Sequence, residues 1–243
     1  MRVLGFALGS AAAFTPTLVA CYLITFAIHV GSVSLNTLLP FHVVALGGSR
    51  MQIGLLFSVA TIVSMVLRPT VGGWVDRFGA RPVIAPGVVA LGLTSVALHF
   101  AATPEALIAL MIGIGLANGL ISTPGSVLTA ISSPATHRGE ALGTYYLASS
   151  LAIALGPPLA FGLRAVGGMA LQFVAVTVVA LILAALIVRL PRTAPTRAAV
   201  AGPRLRLLSV RALPVSGALV LATLGHSSVY GFLPLYAVSR GQG

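Results

Sequence analysis

Seven long apolar stretches, separated by polar breaks, run along the chain. They cover residues 15–42, 50–74, 82–102, 104–130, 140–163, 169–189 and 212–238. Each is about 20 residues or more, the length a helix needs to cross a hydrocarbon core roughly 30 Å thick. A membrane β-barrel would instead need alternating segments of about ten residues. The pattern therefore predicts an all-α membrane protein with seven transmembrane helices. Most connections are short. The exception is 190–211, which holds Pro191, Pro195, Pro203 and five arginines and reads as a linker. The expected organisation is a six-helix bundle over 1–189, an Arg-rich linker over 190–211, and over 212–243 the first helix of a second bundle.

Composition strengthens the membrane reading. Hydrophobic residues make up 58% of the chain and charged residues 7%, with a mean hydropathy of +1.06. A water-facing domain carries about 25% charged residues, so this surface must face lipid, and the bilayer is the first expected partner. All fourteen basic residues are arginine. With the N-terminus in the cytoplasm, ten fall on the inner side: Arg2, Arg77, Arg81, Arg138, Arg189, Arg192, Arg197, Arg204, Arg206 and Arg211. Arg50, Arg164 and Arg240 fall outside, and Arg68 lies within the second span. Ten against three obeys the positive-inside rule. It explains the net charge of +11 by topology, without nucleic acid. Leu18-Val19-Ala20-Cys21 looks like a lipoprotein cleavage site, but the apolar run continues past Cys21 to about Leu39, as a spanning helix would. The single cysteine excludes an intrachain disulfide.

A shift of 194 positions lays the first span on the seventh. Leu39-Pro40 falls on Leu233-Pro234, Val44 on Val238, Gly47 on Gly241 and Ser34 on Ser228. Six helices, a linker and a restart is the pattern of transporters built from two parallel halves. Polar residues inside spans are costly and are functional candidates by default. Thr25, His29, Ser32 and Asn36 stand at helical spacing and form one stripe. Under the same shift His29, Ser32 and Asn36 fall on Thr223, His226 and Tyr230. Each could instead bond back to its own helix or to a neighbouring one.

Asp76, Arg77 and Arg81 fall within six positions in Gly72-Gly73-Trp74-Val75-Asp76-Arg77-Phe78-Gly79-Ala80-Arg81-Pro82, between the second and third spans. Gly72 and Gly73 would let another backbone approach closely, Gly79 would make the turn, and Pro82 suits the first turn of a helix. Gly73-x-x-Asp76-Arg77-x-Gly79-x-Arg81 resembles the signature between helices 2 and 3 of the major facilitator superfamily. Arg68-Pro69, and Arg138-Gly139-Glu140-Ala141-Leu142-Gly143 before the fifth span, are similar to its bacterial efflux-permease-like branch.

The resemblance implies a cytoplasmic gate built from Gly73, Asp76, Arg77, Gly79 and Arg81, with Arg138 and Glu140 as partners. It implies a central cavity lined by helices 1 and 7, with His29, Ser32, Asn36, His226 and Tyr230 facing it and Asn118 and Tyr145 joining them. The family's usual helix-4 arginine is replaced by Met111, ahead of Gly115 and Gly119. The Gly-rich antiporter motif of helix 5 survives only as Ala152, Gly156-Pro157 and Ala160, where two prolines should kink the helix. No carboxylate lies deep in a span. If protons are coupled within this chain, His29 is the candidate carrier, since histidine titrates near neutral pH when unperturbed.

The expected function is alternating-access transport of a small organic molecule, by resemblance proton-coupled efflux across a bacterial inner (plasma) membrane. No metal-ligand cluster, nucleotide-binding loop or catalytic constellation stands out, so neither an enzyme nor a cofactor is expected. The resemblance spans seven of an expected twelve helices, and a 194-residue repeat implies a full length of about 390. A C-terminal half, missing here, is then a further expected partner. The competing expectation is a non-transporting seven-helix receptor or assembly subunit, or an inactive truncated remnant.

Overall fold

Thr15 and Pro16 open the first helix of the computed structural model, which describes residues 15–189. The Thr15 hydroxyl accepts the Leu18 amide at 3.4 Å, and Pro16 sits where its missing N–H has no helical partner to lose. Helix α1 runs Pro16–Ala45. Helix α2, Arg50–Phe78, begins with a reciprocal cap. The Gln52 amide donates to the Ser49 hydroxyl at 3.3 Å, and the Ser49 amide donates to the Gln52 side chain at 2.7 Å. Helix α3 spans Ala80–His99. Helix α4, Pro104–Ser132, starts behind Thr103, whose hydroxyl accepts the Ala106 amide. A single 3-10 turn, Ala135–His137, leads into α5, Arg138–Arg189.

These helices fall on the first six predicted spans, with ends shifted by about four residues at most. The seventh span lies outside the described residues. At 52 residues, α5 would be about 78 Å long if straight, more than twice the hydrocarbon thickness. It is broken at Gly167 and Gly168, the positions inside it where the backbone leaves helical dihedrals. The dihedrals stay helical through Pro157 and Pro158, and the break comes ten residues later. Gly168, at φ 66° and ψ −163°, adopts a backbone region almost confined to glycine. Two arms result, 138–166 and 169–189.

Contacts along α1 show that the arms run in opposite directions. In the first arm, Tyr145 packs with Leu18 and Phe161 with Phe41. In the second, Phe173 meets His42 and Val176 meets Gly31. With the break, the described residues form six helical segments of spanning length. One end of the bundle gathers Asp76, Arg77, Arg81 and Arg138; the other gathers the α1–α2 and α3–α4 turns and the α5 break. Gln52 ties the starts of α2 and α4 together there, donating to the Glu105 carboxylate at 2.7 Å.

Small residues set the helix spacing, as expected where lipid removes the usual hydrophobic drive between helices. Ala152, Gly156 and Ala160 recur every four residues and are all buried. A Cβ on Gly156 would stand 2.6 Å from Val33 of α1. Gly115 and Gly119 do the same for α4 against α2. Met111, one turn before them, is fully buried in the main apolar core. Between α1 and the second arm, the buried Gln172 donates to the Ser34 hydroxyl at 2.7 Å, which itself donates to the Gly31 carbonyl.

Candidate functional site

A cavity of about 450 Å³ opens between α1, α2 and α4. Its residues come from helix faces that repeat every three or four positions. His29 and Asn36 project from α1, two turns apart. Phe57, Thr61, Ser64 and Arg68 project from α2, and Asn118 and Ser122 from α4. Ser64 and Asn118 are the middle residues of their helices, and His29 lies within two residues of the middle of α1. The cavity is therefore at mid-depth.

Several of its hydroxyls are already satisfied. Thr61 donates to the Phe57 carbonyl and Ser122 to the Asn118 carbonyl, both at 2.8 Å, the usual back-bonding of membrane helices. Four side chains have richer capacity: His29, Asn36, Arg68 and Asn118. The His29 Nδ1–H donates to the Thr25 carbonyl at 2.8 Å. A carbonyl can only accept, so this bond sets the tautomer and leaves Nε2 as the ring's acceptor when neutral. The Asn36 Oδ1 is buried with no hydrogen-bond partner among the described residues.

Ser32 and Tyr145, expected on this wall, stand behind it. Ser32 is about 50° around α1 from the line joining His29 and Asn36, and its buried hydroxyl has no partner among the described residues. Tyr145 is buried in a cluster with Leu18, Tyr22 and Ala141. Its hydroxyl donates to the Ser122 backbone carbonyl at 3.1 Å, so it braces α4 from outside the cavity. His226 and Tyr230 lie outside the described residues.

The α2 contribution escaped the sequence reading. Its signal was present: Phe57, Thr61, Ser64 and Arg68 keep helical spacing. Arg68 is one turn from the middle of α2, about 6 Å along the axis. A cation at bilayer depth costs about 2.5–3.5 kcal/mol on insertion scales, so it needs a polar surrounding, which the cavity provides. Gln172 escaped for another reason: a lone glutamine in an apolar run does not announce which helix it will meet.

The charged stretch sits at the far end of α2. Gly79 links α2 to α3 at φ 85° and ψ 166°, again a glycine region. Asp76 and Arg77 are exposed, and the Arg77 guanidinium lies 5.3 Å from the centre of the Phe78 ring. Arg81 and Glu140 are half-buried, and Arg138 is the exposed first residue of α5. Alternating helix direction brings Asp76, Arg77, Arg81, Arg138 and Glu140 to one end. Gly72 and Gly73 do not serve as close-approach points within the described residues: a Cβ on either meets nothing within 4 Å. They lie on the open face of α2, away from the buried Val71 and Val75.

The sequence profile of the Major Facilitator Superfamily matches residues 21–243. An uncharacterized MFS-type transporter of Burkholderia mallei (strain SAVP1) is 28% identical over 211 residues, covering 80% of this chain and 49% of that relative. Another, from Methanocaldococcus jannaschii, is 25% identical over 137 residues, covering 56% of this chain and 35% of that relative. The chain thus spans about half the length of the Burkholderia relative. Among solved structures, a POT family transporter in complex with 5-aminolevulinic acid superposes with a TM-score of 0.66 at 15% identity, over 93% of this chain and 47% of that one. The nucleoside transporter NupG, as a mutant, gives 0.63 at 18% identity, over 86% and 52%. At these identities the likeness is one of fold.

Proposed function

Because the chain belongs to the major facilitator superfamily, we propose that it is a bundle of a transporter that moves a small organic molecule by alternating access. The observation that carries the reading is the mid-depth polar cavity between α1, α2 and α4. Polar surface at that depth is expensive unless it serves transit. In this reading His29, Asn36, Asn118 and Arg68 contact the substrate. Ser32 and Tyr145 support the wall. Gly73, Asp76, Arg77, Gly79, Arg81, Arg138 and Glu140 form the gate. The arginine distribution favours a cytoplasmic N-terminus, which puts the gate on the cytoplasmic side of a bacterial inner membrane. The efflux-permease-like motifs favour export, and His29 is the group best placed to couple it to protons.

One cysteine variant and one gate variant test this in the native membrane. Asn118→Cys should react with an impermeant thiol reagent from either membrane face. Asp76→Asn should shift that reactivity towards the cytoplasmic face, because the gate closes less. Reaction from one face only, or an unchanged ratio, would remove alternating access at this cavity.

A further inference from the structure

We propose that the cavity takes a small organic anion, a carboxylate or sulfonate with an apolar body, held by Arg68. This deepens the transport reading above and rests on it. The argument begins with charge. Arg68 lines the cavity, and no acidic side chain does. The chain has only three acidic residues. Asp76 is near the end of α2 and Glu140 is in the first turn of α5. Glu105 is at the opposite end of the bundle, bonded to Gln52. The described wall is therefore cationic, with Arg68 exposed on it. An arginine fork matches the two oxygens of a carboxylate or sulfonate.

The neighbouring groups fit the same ligand. Asn118 and Asn36 offer amides that can donate, and the buried, unpartnered end of Asn36 can be oriented either way. His29 has committed Nδ1 to Thr25, so Nε2 can accept from a hydroxyl or ammonium elsewhere on the ligand. Phe57, Ala60 and Met65 supply an apolar wall for a hydrocarbon or aromatic body. The volume, about 450 Å³, lies in the range of small-molecule sites.

The test needs no knowledge of the natural ligand. Thr61, exposed on the cavity wall, is replaced by cysteine in the full chain in membranes; native Cys21 is buried, and Cys21→Ala serves as control. Three methanethiosulfonates are compared: an anionic sulfonatoethyl, a cationic trimethylammonioethyl and a neutral methyl reagent. Each rate is normalised to a free thiol. The anionic reagent should react at least about tenfold faster than the cationic one, the scale of one nearby charge at intermediate dielectric. Arg68→Gln should abolish that preference and Arg68→Lys keep it, with the neutral rate unchanged in both to show an intact cavity. Equal anionic and cationic rates with Arg68 present, or a preference surviving Arg68→Gln, would overturn the anion assignment alone. Failure of all three reagents would remove the water-accessible cavity, and with it the transport reading.

Discussion

Gly115 sets the distance between α4 and α2: a Cβ there would stand 2.6 Å from the Ala60 carbonyl oxygen and 2.8 Å from Val63 Cβ. Backbone cannot yield as a side-chain tip can. Gly115→Ala should push the helices apart and cost about 1–3 kcal/mol, read as a lower Tm in detergent. Ala60 also lines the cavity, so ligand access should change as well. Gly143→Ala, where a Cβ meets nothing within 4 Å, should hold the Tm or raise it, because alanine suits a helix better by about 0.5–1 kcal/mol.

The Ser34–Gln172 pair should behave asymmetrically. Ser34→Ala strands the buried Gln172 amide, which costs about 1–3 kcal/mol. Adding Gln172→Met removes the stranded group and keeps the volume. The double variant should melt above Ser34→Ala. A double variant that melts well below both single variants would mean that packing, not the hydrogen bond, holds this contact.

Gly79 and Gly168 share a backbone region with φ near 60–90° and extended ψ. Alanine at either position should cost about 1–3 kcal/mol, measured as reduced yield of folded protein and a lower Tm. Gly73→Ala should leave both unchanged, since its side is open. If Gly73→Ala then alters accessibility of the cavity from the two membrane faces, the effect belongs to gating and not to folding.

Gly125 and Tyr145 form a tight contact: a Cβ on Gly125 would lie 2.7 Å from the Tyr145 hydroxyl. Tyr145→Phe should cost roughly 0.5–1.5 kcal/mol through the lost bond to Ser122. Gly125→Ala should cost less in the Tyr145→Phe background than in the native chain, since the clashing atom is gone. Thermal melts of the four proteins give the coupling directly.

Much of this architecture was legible in the chain. Apolar runs of spanning length placed the six described helical segments, because lipid forces every backbone group into helical bonds and punishes polar residues in between. The charged Asp76–Arg81 stretch announced a turn at one membrane face, and His29, Asn36 and Asn118 announced a polar site by their cost at mid-depth. What the chain left open was which faces meet. Ser32 looked equivalent to His29 and Asn36 until packing turned it away from the cavity. Tyr145 looked like a wall residue until α4 claimed its hydroxyl. Arg68 read as part of a motif until α1 and α4 placed His29, Asn36 and Asn118 along the same cavity. Helical periodicity assigns residues to a side of one helix. Only the rotation and spacing of neighbouring helices, set here by Gly115, Gly119 and Gly156, decide whether that side faces a cavity, a partner helix or lipid.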